Sequence, residues 1–385
     1  MIRRISILAP NLSSNSLGRA YLLARVLQRN YEVEILGPAF QNHIWPPVDD
    51  GTVPFFSVPG KRFPLFIGPA RQLLSCISGD LVYAVKPRLT SFGLGLLHCQ
   101  KTQTPLILDI DDWDAEGEYG LNRVKQAVRM VWRLADPYNN LYLRLMERYI
   151  PRADAITVVS SALQKRFGGI MLPHGRDTHT LDPACFEPET LKAQYDLSGK
   201  FVLMFFGTPR PHKGLEDILT ALQQVDLPDL RFAIVGVNWN DPYTQTLQQA
   251  SEPRLRLFGM QPWTKIPEFL AMADTVVLAQ RPVSFGQAQV PAKVFDAMAM
   301  AKPIIATQVG DLPEILKDCG VLIPPNNILA LAEAIRFVHE HREETAEMGK
   351  QARVRCQASY SWDVMEKTLE NIIANLEKGK KGHGS

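Results

Sequence analysis

The stretch Phe201-Val-Leu-Met-Phe-Phe-Gly-Thr-Pro-Arg-Pro-His-Lys-Gly214 joins six consecutive apolar residues to a loop that contains two glycines and two cations. The apolar run predicts a buried strand, because strands of a parallel sheet are covered on both faces. A helix is expected from Lys213 to about Gln224. Its N-terminus, together with Arg210 and Lys213, could hold a diphosphate. The loop is not a Walker A motif, because Lys213 precedes its glycine. On local pattern alone, a surface loop with solvated cations is an equal alternative.

The same alternation of short apolar runs and helix-like segments extends along the whole chain, which predicts parallel sheets wrapped in helices. In the first half, the expected strands cover residues 5–9, 32–36, 81–85, 106–110 and 155–159. In the second half, they cover residues 201–206, 231–235, 254–258, 275–278, 303–306 and 321–323. Two successive series of this kind predict two doubly wound α/β domains.

The domain organisation follows from a stretch rich in proline and glycine near residues 173–200, which interrupts the alternation. We expect two Rossmann-like domains that face each other across a cleft, with ligands at the carboxyl ends of the strands. The predicted order is an acceptor-binding domain, a linker, a donor-binding domain and a terminal helix that packs back toward the first domain. Their expected ranges are 1–180, 181–199, 200–358 and 359–378.

The composition bounds the function. A chain of 385 residues with 46% hydrophobic residues can form two globular domains. Its net charge of +2 gives no signature of nucleic-acid binding. The five cysteines are scattered and odd in number, which argues against a disulfide framework or a zinc cluster. No apolar run approaches about 18 residues, so no membrane span is expected. We predict a cytoplasmic protein.

A second informative motif, Val290-Pro-Ala-Lys-Val-Phe-Asp-Ala-Met, starts a helix through a proline in its first turn. Lys293 lies in that turn, where a cation opposes the helix dipole and is better explained by an anionic ligand. Asp296 follows within one turn, so both side chains can approach the same cleft. A solvated helix carboxylate is the alternative reading of Asp296.

Taken in order, these motifs resemble the donor domain of GT-B glycosyltransferases of family 4. The second-half motifs that carry the resemblance are Gly207-x5-Lys213-Gly214-Leu215, residues 232–236, 257–259, 273–278 and 295–306, and Gly310-x3-Glu314. The first half is similar to that family at residues 153–160 and 172–177. The resemblance covers nearly the whole chain.

The resemblance implies a retaining, metal-independent transfer of a sugar from a nucleotide-diphosphate sugar to a hydroxyl of a glycan, a lipid-linked glycan or a small metabolite. No cofactor is expected. The residues that it assigns to catalysis are Arg210, Lys213 and Lys293. Those that it assigns to donor binding are Gly207, Thr208, Gly259, Asp296 and Gly18.

Four departures from the family pattern keep two alternatives open. Thr208 stands at the usual arginine, Ala288 at the first acid of the acid-x7-acid motif, and His174 at the usual asparagine. The Gly-Gly pair of the first loop is reduced to Leu17-Gly-Arg19. The alternatives are a catalytically inactive GT-B subunit that binds a sugar or a partner, and a nucleotide-sugar epimerase.

In the first domain, Leu108-Asp-Ile-Asp-Asp-Trp-Asp114 follows a predicted strand. Four acids in six residues could suggest a divalent cation, but capping by aspartate is commoner. We expect Asp111, Asp112 and His174 to contact the acceptor, and we expect no metal.

The first domain also contains a candidate membrane surface. Residues 121–150 combine Arg123, Lys125, Arg129 and Arg133 with apolar residues that include Trp132. Residues 53–67 add a second basic and apolar loop. This pattern is typical of a peripheral contact with the inner face of a membrane. A helix packed on its own sheet, with a solvated basic face, is the alternative.

Overall fold

The computed structural model describes residues 1–112, 134–250, 252–283 and 288–382. The chain divides into two compact units, of which the first is Met1–His174 with Met365–Ser385 and the second is Gly175–Val364. The second unit is therefore an insertion in the sequence of the first.

The first unit contains a parallel sheet with the strand order β3-β2-β1-β4-β5-β6-β7. Its strands are β1 (Arg4–Leu8), β2 (Glu32–Ala39), β3 (Phe55–Pro59), β4 (Leu81–Val85), β5 (Leu106–Ile110), β6 (Ala155–Val158) and β7 (Ile170–Met171). Its described helices are α1 (Leu17–Leu27), α2 (Ile67–Cys76), α3 (Leu94–Thr102), α4 (Asn140–Glu147) and α5 (Ser161–Phe167). The central strands are wholly buried, as expected of strands with helices on both faces.

The second unit contains a parallel sheet with the strand order β10-β9-β8-β11-β12-β13. Its strands are β8 (Phe201–Phe206), β9 (Leu230–Val237), β10 (Leu255–Gly259), β11 (Thr275–Leu278), β12 (Ile304–Thr307) and β13 (Val321–Ile323). Its described helices begin with α6 (Pro188–Gln194), α7 (Leu215–Leu222), α8 (Pro242–Gln248), α9 (Ile266–Met272) and α10 (Lys293–Ala299). They continue with α11 (Leu312–Ile315), α12 (Ile328–Glu340), α13 (Arg342–Ser359) and α14 (Trp362–Gly382), which runs on into the first unit.

The α/β class and the two Rossmann-like sheets are confirmed, since every predicted strand forms. The observed bounds lie within two residues of the expected ones, except that β2 extends three residues further, to Ala39. Two strands were missed for physical reasons. β3 lies at the edge of its sheet and buries only Val58, so it lacks the continuous apolar run of a central strand. β7 is two residues long.

The expected ranges of the domains differ from the division in the structure. The first unit ends at His174, and the expected linker, 181–199, lies within the second unit. There Lys192 is buried and donates to Asp274 at 2.9 Å, so α6 is fastened to the second sheet instead of bridging two domains. From Met365 onward α14 belongs to the first unit, where Glu366 pairs with Arg29 at 2.7 Å.

None of the helices within the described ranges combines the length and hydropathy needed to cross a bilayer.

Candidate functional site

A glycine-lined loop follows β8 and leads into α7. Gly207 and Gly236 both have left-handed backbone conformations, with φ of 105° and 108°, and a Cβ on Gly236 would lie 3.1 Å from the Gly207 carbonyl. Gly214 has a φ of 68°, and a Cβ there would collide with the Ala279 carbonyl oxygen. Glycine is needed at these positions, because the loop is pressed against the ends of β9 and β11.

Two lysines converge beside this loop. A Cβ on Gly207 would lie only 3.1 Å from Lys293 Nζ, which also stands 3.7 Å from the centroid of the Phe205 ring. Lys213 Nζ donates to Gln289 Oε1 at 2.8 Å. Burial, and then the charge of Lys213, lower the pKa of Lys293 well below its ordinary value, and Asp296 opposes this shift only in part.

The loop therefore has an excess of positive charge. Burial, and then Lys213, Lys293 and Arg210, lower the pKa of His212 to about 3, so its imidazole is neutral at pH 7. Within the described part of the chain, Lys293 Nζ has no carboxylate at ion-pair distance. Such a cluster favours an anionic ligand, since an anion would relieve both the repulsion and the loss of solvation.

Arg210 and Thr208 occupy different environments from these lysines. Arg210 is exposed and pairs with Asp241 at 2.7 Å. Thr208 is half-buried next to Gly207. The structure brings Gly207, Lys213 and Lys293 together, whereas the guanidinium of Arg210 is directed to the carboxylate that begins α8.

Asp296 is 6% exposed and is held by a residue that sequence reasoning missed, Arg176. Arg176 Nε donates to Asp296 Oδ1 at 2.5 Å, and Arg176 Nη2 donates to Oδ2 at 2.8 Å. The solvated carboxylate proposed as an alternative is therefore wrong. A planar guanidinium that contacts both carboxylate oxygens fixes the orientation of the acid.

Arg176 is itself anchored on several sides. Its Nη2 also donates to the Ala292 carbonyl at 3.3 Å, just before α10, and its guanidinium lies 5.6 Å from the Trp263 ring centroid. Its backbone accepts from Trp362 N and donates to Tyr360 O, both at 2.9 Å. In the sequence, Arg176 is visible only as the cation of the His-Gly-Arg-Asp motif. Its partner could not be identified from that motif, because Asp296 is 120 positions away.

Gly259 ends β10 beside an aromatic side chain. A Cβ on Gly259 would lie 3.3 Å from the indole nitrogen of Trp239, which follows β9 and is exposed. Two further positions of the family pattern, Ala288 and Gly18, lie elsewhere. Ala288 is buried and uncharged. Gly18 is the second residue of α1 in the first unit, where a Cβ would lie 3.5 Å from the Trp45 ring.

In the first unit, Asp111 and Asp112 follow β5 and face Lys86, which follows the neighbouring β4. Lys86 Nζ lies 3.7 Å from Asp111 Oδ1 and 3.8 Å from Asp112 Oδ2. Burial, reinforced by Asp109 and Asp112 against the opposing charge of Lys86, raises the pKa of Asp111 to about 6. Among the described residues, no hydrogen bond reaches the buried Asp111 Oδ1.

His174 ends the first unit after a loop that is tied to the sheet by Arg19. This buried arginine donates to the Leu172 and Pro173 carbonyls, at 2.8 and 3.2 Å, and pairs with Asp109 at 2.8 Å.

Within the described ranges, no three His, Cys, Asp or Glu side chains form a group that could hold a metal ion. Asp114 and the expected basic residues Arg123, Lys125, Arg129 and Arg133, with Trp132, lie outside the described residues.

Residues 188–355 match the sequence profile of the family described as glycosyl transferases group 1. The probable glycosyltransferase WbjE of Pseudomonas aeruginosa is 31% identical over 168 residues, which are 42% of this chain and 41% of that protein. A GDP-mannose-dependent alpha-(1-6)-phosphatidylinositol monomannoside mannosyltransferase of Mycolicibacterium smegmatis is 24% identical over 249 residues, which are 60% of this chain and 64% of that protein. The chain thus spans less than two thirds of these curated relatives.

Among solved structures, HepE of Anabaena in complex with UDP-glucose superposes with a TM-score of 0.76. The match covers 97% of this chain and 100% of that chain at 18% identity, a level at which the likeness is one of fold. The chain therefore has the GT-B fold, and its residues 188–355 are similar to the glycosyl transferases group 1 family.

Proposed function

We propose that the chain is a glycosyltransferase that moves a sugar from a nucleotide-diphosphate sugar to an acceptor hydroxyl, with retention at the anomeric carbon. The observation that carries the proposal is the lysine cluster beside Gly207. Lys213 and Lys293 lie at the carboxyl end of the second sheet, where ligands of doubly wound sheets bind. Burial and the charge of Lys213 oppose protonation of Lys293, and a bound anion would offset that effect. The sugar diphosphate is such an anion.

In the proposed reaction, the hydroxyl attacks the anomeric carbon from the side on which the diphosphate leaves. The bond from that carbon to the diphosphate oxygen breaks while the new glycosidic bond forms, and the leaving oxygen takes the hydroxyl proton. Lys213 and Lys293 stabilise the charge that develops on the diphosphate. Arg210 joins them by exchanging Asp241 for a phosphate oxygen. No protein nucleophile is needed.

The nucleoside half of the donor is assigned to the residues on either side of the loop. Asp296, held by Arg176, accepts from the ribose hydroxyls through the lone pairs that Arg176 leaves free. Trp239, exposed next to Gly259, offers an aromatic face on which a nucleobase can stack. Gly207, Thr208 and Gly18 remain predicted donor contacts.

The acceptor is assigned to the first unit, where Asp111, Asp112 and His174 are the predicted contacts. Buried, poorly satisfied carboxylate oxygens such as Asp111 Oδ1 are suited to accept hydrogen bonds from sugar hydroxyls. Three acceptor classes were expected: a glycan, a lipid-linked glycan or a small metabolite. The phosphatidylinositol monomannoside named for the Mycolicibacterium smegmatis relative favours the lipid-linked acceptor. Action on such an acceptor in the cytoplasm stays a prediction.

The direct test is a screen of UDP-, GDP- and ADP-sugars for thermal stabilisation, followed by turnover with the sugar that stabilises. We expect one nucleotide class to raise the melting temperature of the wild type, since a ligand that binds only the folded state stabilises it. Lys213→Ala should abolish most of that shift, whereas Lys350→Ala, at an exposed lysine of α13, should retain it.

The outcomes of the screen separate the three candidate functions. Stabilisation followed by sugar transfer supports the proposal. Stabilisation without turnover on any acceptor favours the inactive binding subunit, and interconversion of the free nucleotide sugar favours the epimerase. If no nucleotide sugar stabilises the protein, the assignment of the lysine cluster is wrong.

A second expected result concerns metals. Transfer should continue in excess EDTA, because the lysines neutralise the diphosphate charge that a bound cation neutralises in metal-dependent enzymes. Initial rates with EDTA and with added Mg²⁺ or Mn²⁺ provide the measurement. Loss of activity that is restored by one of these ions would instead make Asp111 and Asp112 candidate ligands.

A further inference from the structure

We propose that Arg281 is a positioning residue for the donor diphosphate, which it assists by pairing with two carboxylates at the start of α7 and by holding the loop that carries Lys213. Arg281 lies three residues after the end of β11 and does not itself contact the diphosphate in this role. The role rests on the proposed function, because it concerns the same diphosphate.

The first turn of α7 contains two acids, Glu216 and Asp217, shortly after the lysine that is proposed to bind the diphosphate. The Asp217 carboxylate lies against the loop, since a Cβ on Gly214 would be only 3.2 Å from Asp217 Oδ2. Carboxylates at a helix N-terminus interact favourably with the helix dipole. At this place, however, they lower the positive potential that attracts a diphosphate, and they oppose the charges of Lys213 and Lys293.

Arg281 supplies a cation to both acids. Its Nε and Nη2 donate to Asp217 Oδ2 and Oδ1 at 3.0 and 2.7 Å, and Nη2 also donates to Glu216 Oε2 at 3.4 Å. Contact with both oxygens of Asp217 fixes the orientation of that carboxylate. One guanidinium against two carboxylates leaves a formal charge of −1 where the acids alone would carry −2. The repulsion of an incoming anion is therefore reduced.

Arg281 also holds the loop through its backbone. Arg281 N donates to the His212 carbonyl at 2.9 Å, one residue before Lys213, while its side chain holds the first turn of α7 on the other side. The segment that contains Arg281 is fixed in turn, because Thr307 Oγ1 of β12 donates to the Gln280 carbonyl at 2.7 Å. Lys213 thus lies between two attachments to one residue, which restricts the backbone that presents it.

Replacing Arg281 by methionine removes the cation and keeps the backbone bond to His212. The fold should tolerate this change, since the side chains of Glu216 and Asp217 are 40% and 20% exposed and the unpaired acids stay in contact with water. The variant therefore isolates the contribution of the guanidinium. Melting temperatures check that each variant is folded.

The experiment titrates the full chain with UDP, GDP and ADP, and then with the monophosphate of the nucleotide that binds most tightly. We expect Arg281→Met to weaken binding of the diphosphate by about tenfold, because the two acids then repel it without compensation. The monophosphate should lose less affinity, since the repulsion grows with the charge of the ligand. A defect that only distorts the site would weaken binding of both nucleotides alike.

A triple variant tests whether the acids are the cause. Arg281→Met combined with Glu216→Gln and Asp217→Asn removes the carboxylate charges as well, and we expect it to recover most of the lost affinity for the diphosphate. Arg342→Met is the matched control. Arg342 also pairs with an aspartate, Asp229, at 3.2 Å, but next to the amino end of β9, so this variant should bind like the wild type.

The outcomes separate the role of Arg281 from the proposed function. If the wild type binds none of the three diphosphates, the proposed function fails and the role of Arg281 fails with it. If the wild type binds one of them and Arg281→Met binds it equally tightly, only the role of Arg281 is overturned. The same conclusion follows if the triple variant recovers no affinity, or if the monophosphate and the diphosphate lose affinity by the same factor.

Discussion

Replacing Lys293 by methionine is expected to raise the melting temperature of the ligand-free protein and to slow sugar transfer by about a hundredfold. The two effects have one cause. Burial and the charge of Lys213 lower the pKa of Lys293, so the fold either holds an unfavourable ammonium group or releases its proton. Methionine has a similar length and removes this cost, but it offers no charge to the leaving diphosphate.

The dependence on pH follows from the direction of the shift. A lysine with a lowered pKa binds fewer protons in the folded than in the unfolded state, so it costs stability below its ordinary pKa. The gain from Lys293→Met should therefore be largest at neutral and acidic pH and should vanish as the pH rises above about 10.5. Thermal unfolding and initial rates, measured across pH, provide the check. A variant with unchanged stability and wild-type turnover would remove Lys293 from the site.

Replacing Arg176 by methionine should destabilise the protein by about 3–5 kcal/mol, because it leaves the carboxylate of Asp296 buried without its partner. It should also weaken binding of the nucleoside diphosphate by about 10- to 100-fold, since the partner that orients a binding group contributes on this scale. Denaturant unfolding gives the first quantity, and titration with the nucleoside diphosphate gives the second.

A double variant separates the structural contribution of this ion pair from its contribution to binding. Arg176→Met with Asp296→Leu removes both charges, and replacing a buried ion pair by apolar residues is often close to neutral for stability. We therefore expect the double variant to regain most of the lost stability but not the affinity for the nucleotide. Wild-type affinity in the double variant would show that the pair is purely structural and that Asp296 does not contact the ribose.

The two sheets and the glycine loop could be predicted because their signals are local. The six apolar residues of β8 and the glycines that follow them are contiguous in sequence, and each has a direct conformational meaning. The edge strand β3 escaped prediction because most of its residues are not buried. Local pattern therefore identifies central strands better than edges.

The contacts of the site could not be predicted, because they join residues that are far apart in sequence. Arg176 meets Asp296 across 120 positions, and Arg210 meets Asp241 across 31. The sequence identifies Asp296 and Arg210 as candidates but says nothing about which residue of opposite charge each of them meets. The same reason applies to Lys86, whose approach to Asp111 depends on β4 and β5 being neighbours in the sheet.

The insertion of the second unit between Met1–His174 and Met365–Ser385 has a consequence for synthesis on the ribosome. All strands of the second sheet, and the chain that pairs Arg176 with Tyr360 and Trp362, are made before most of α14. The second unit can therefore complete its own contacts first. The first unit, although its sheet is made earlier, must wait for its last helix, and until then the surface that Leu369, Ile372 and Ile373 later cover is open to water.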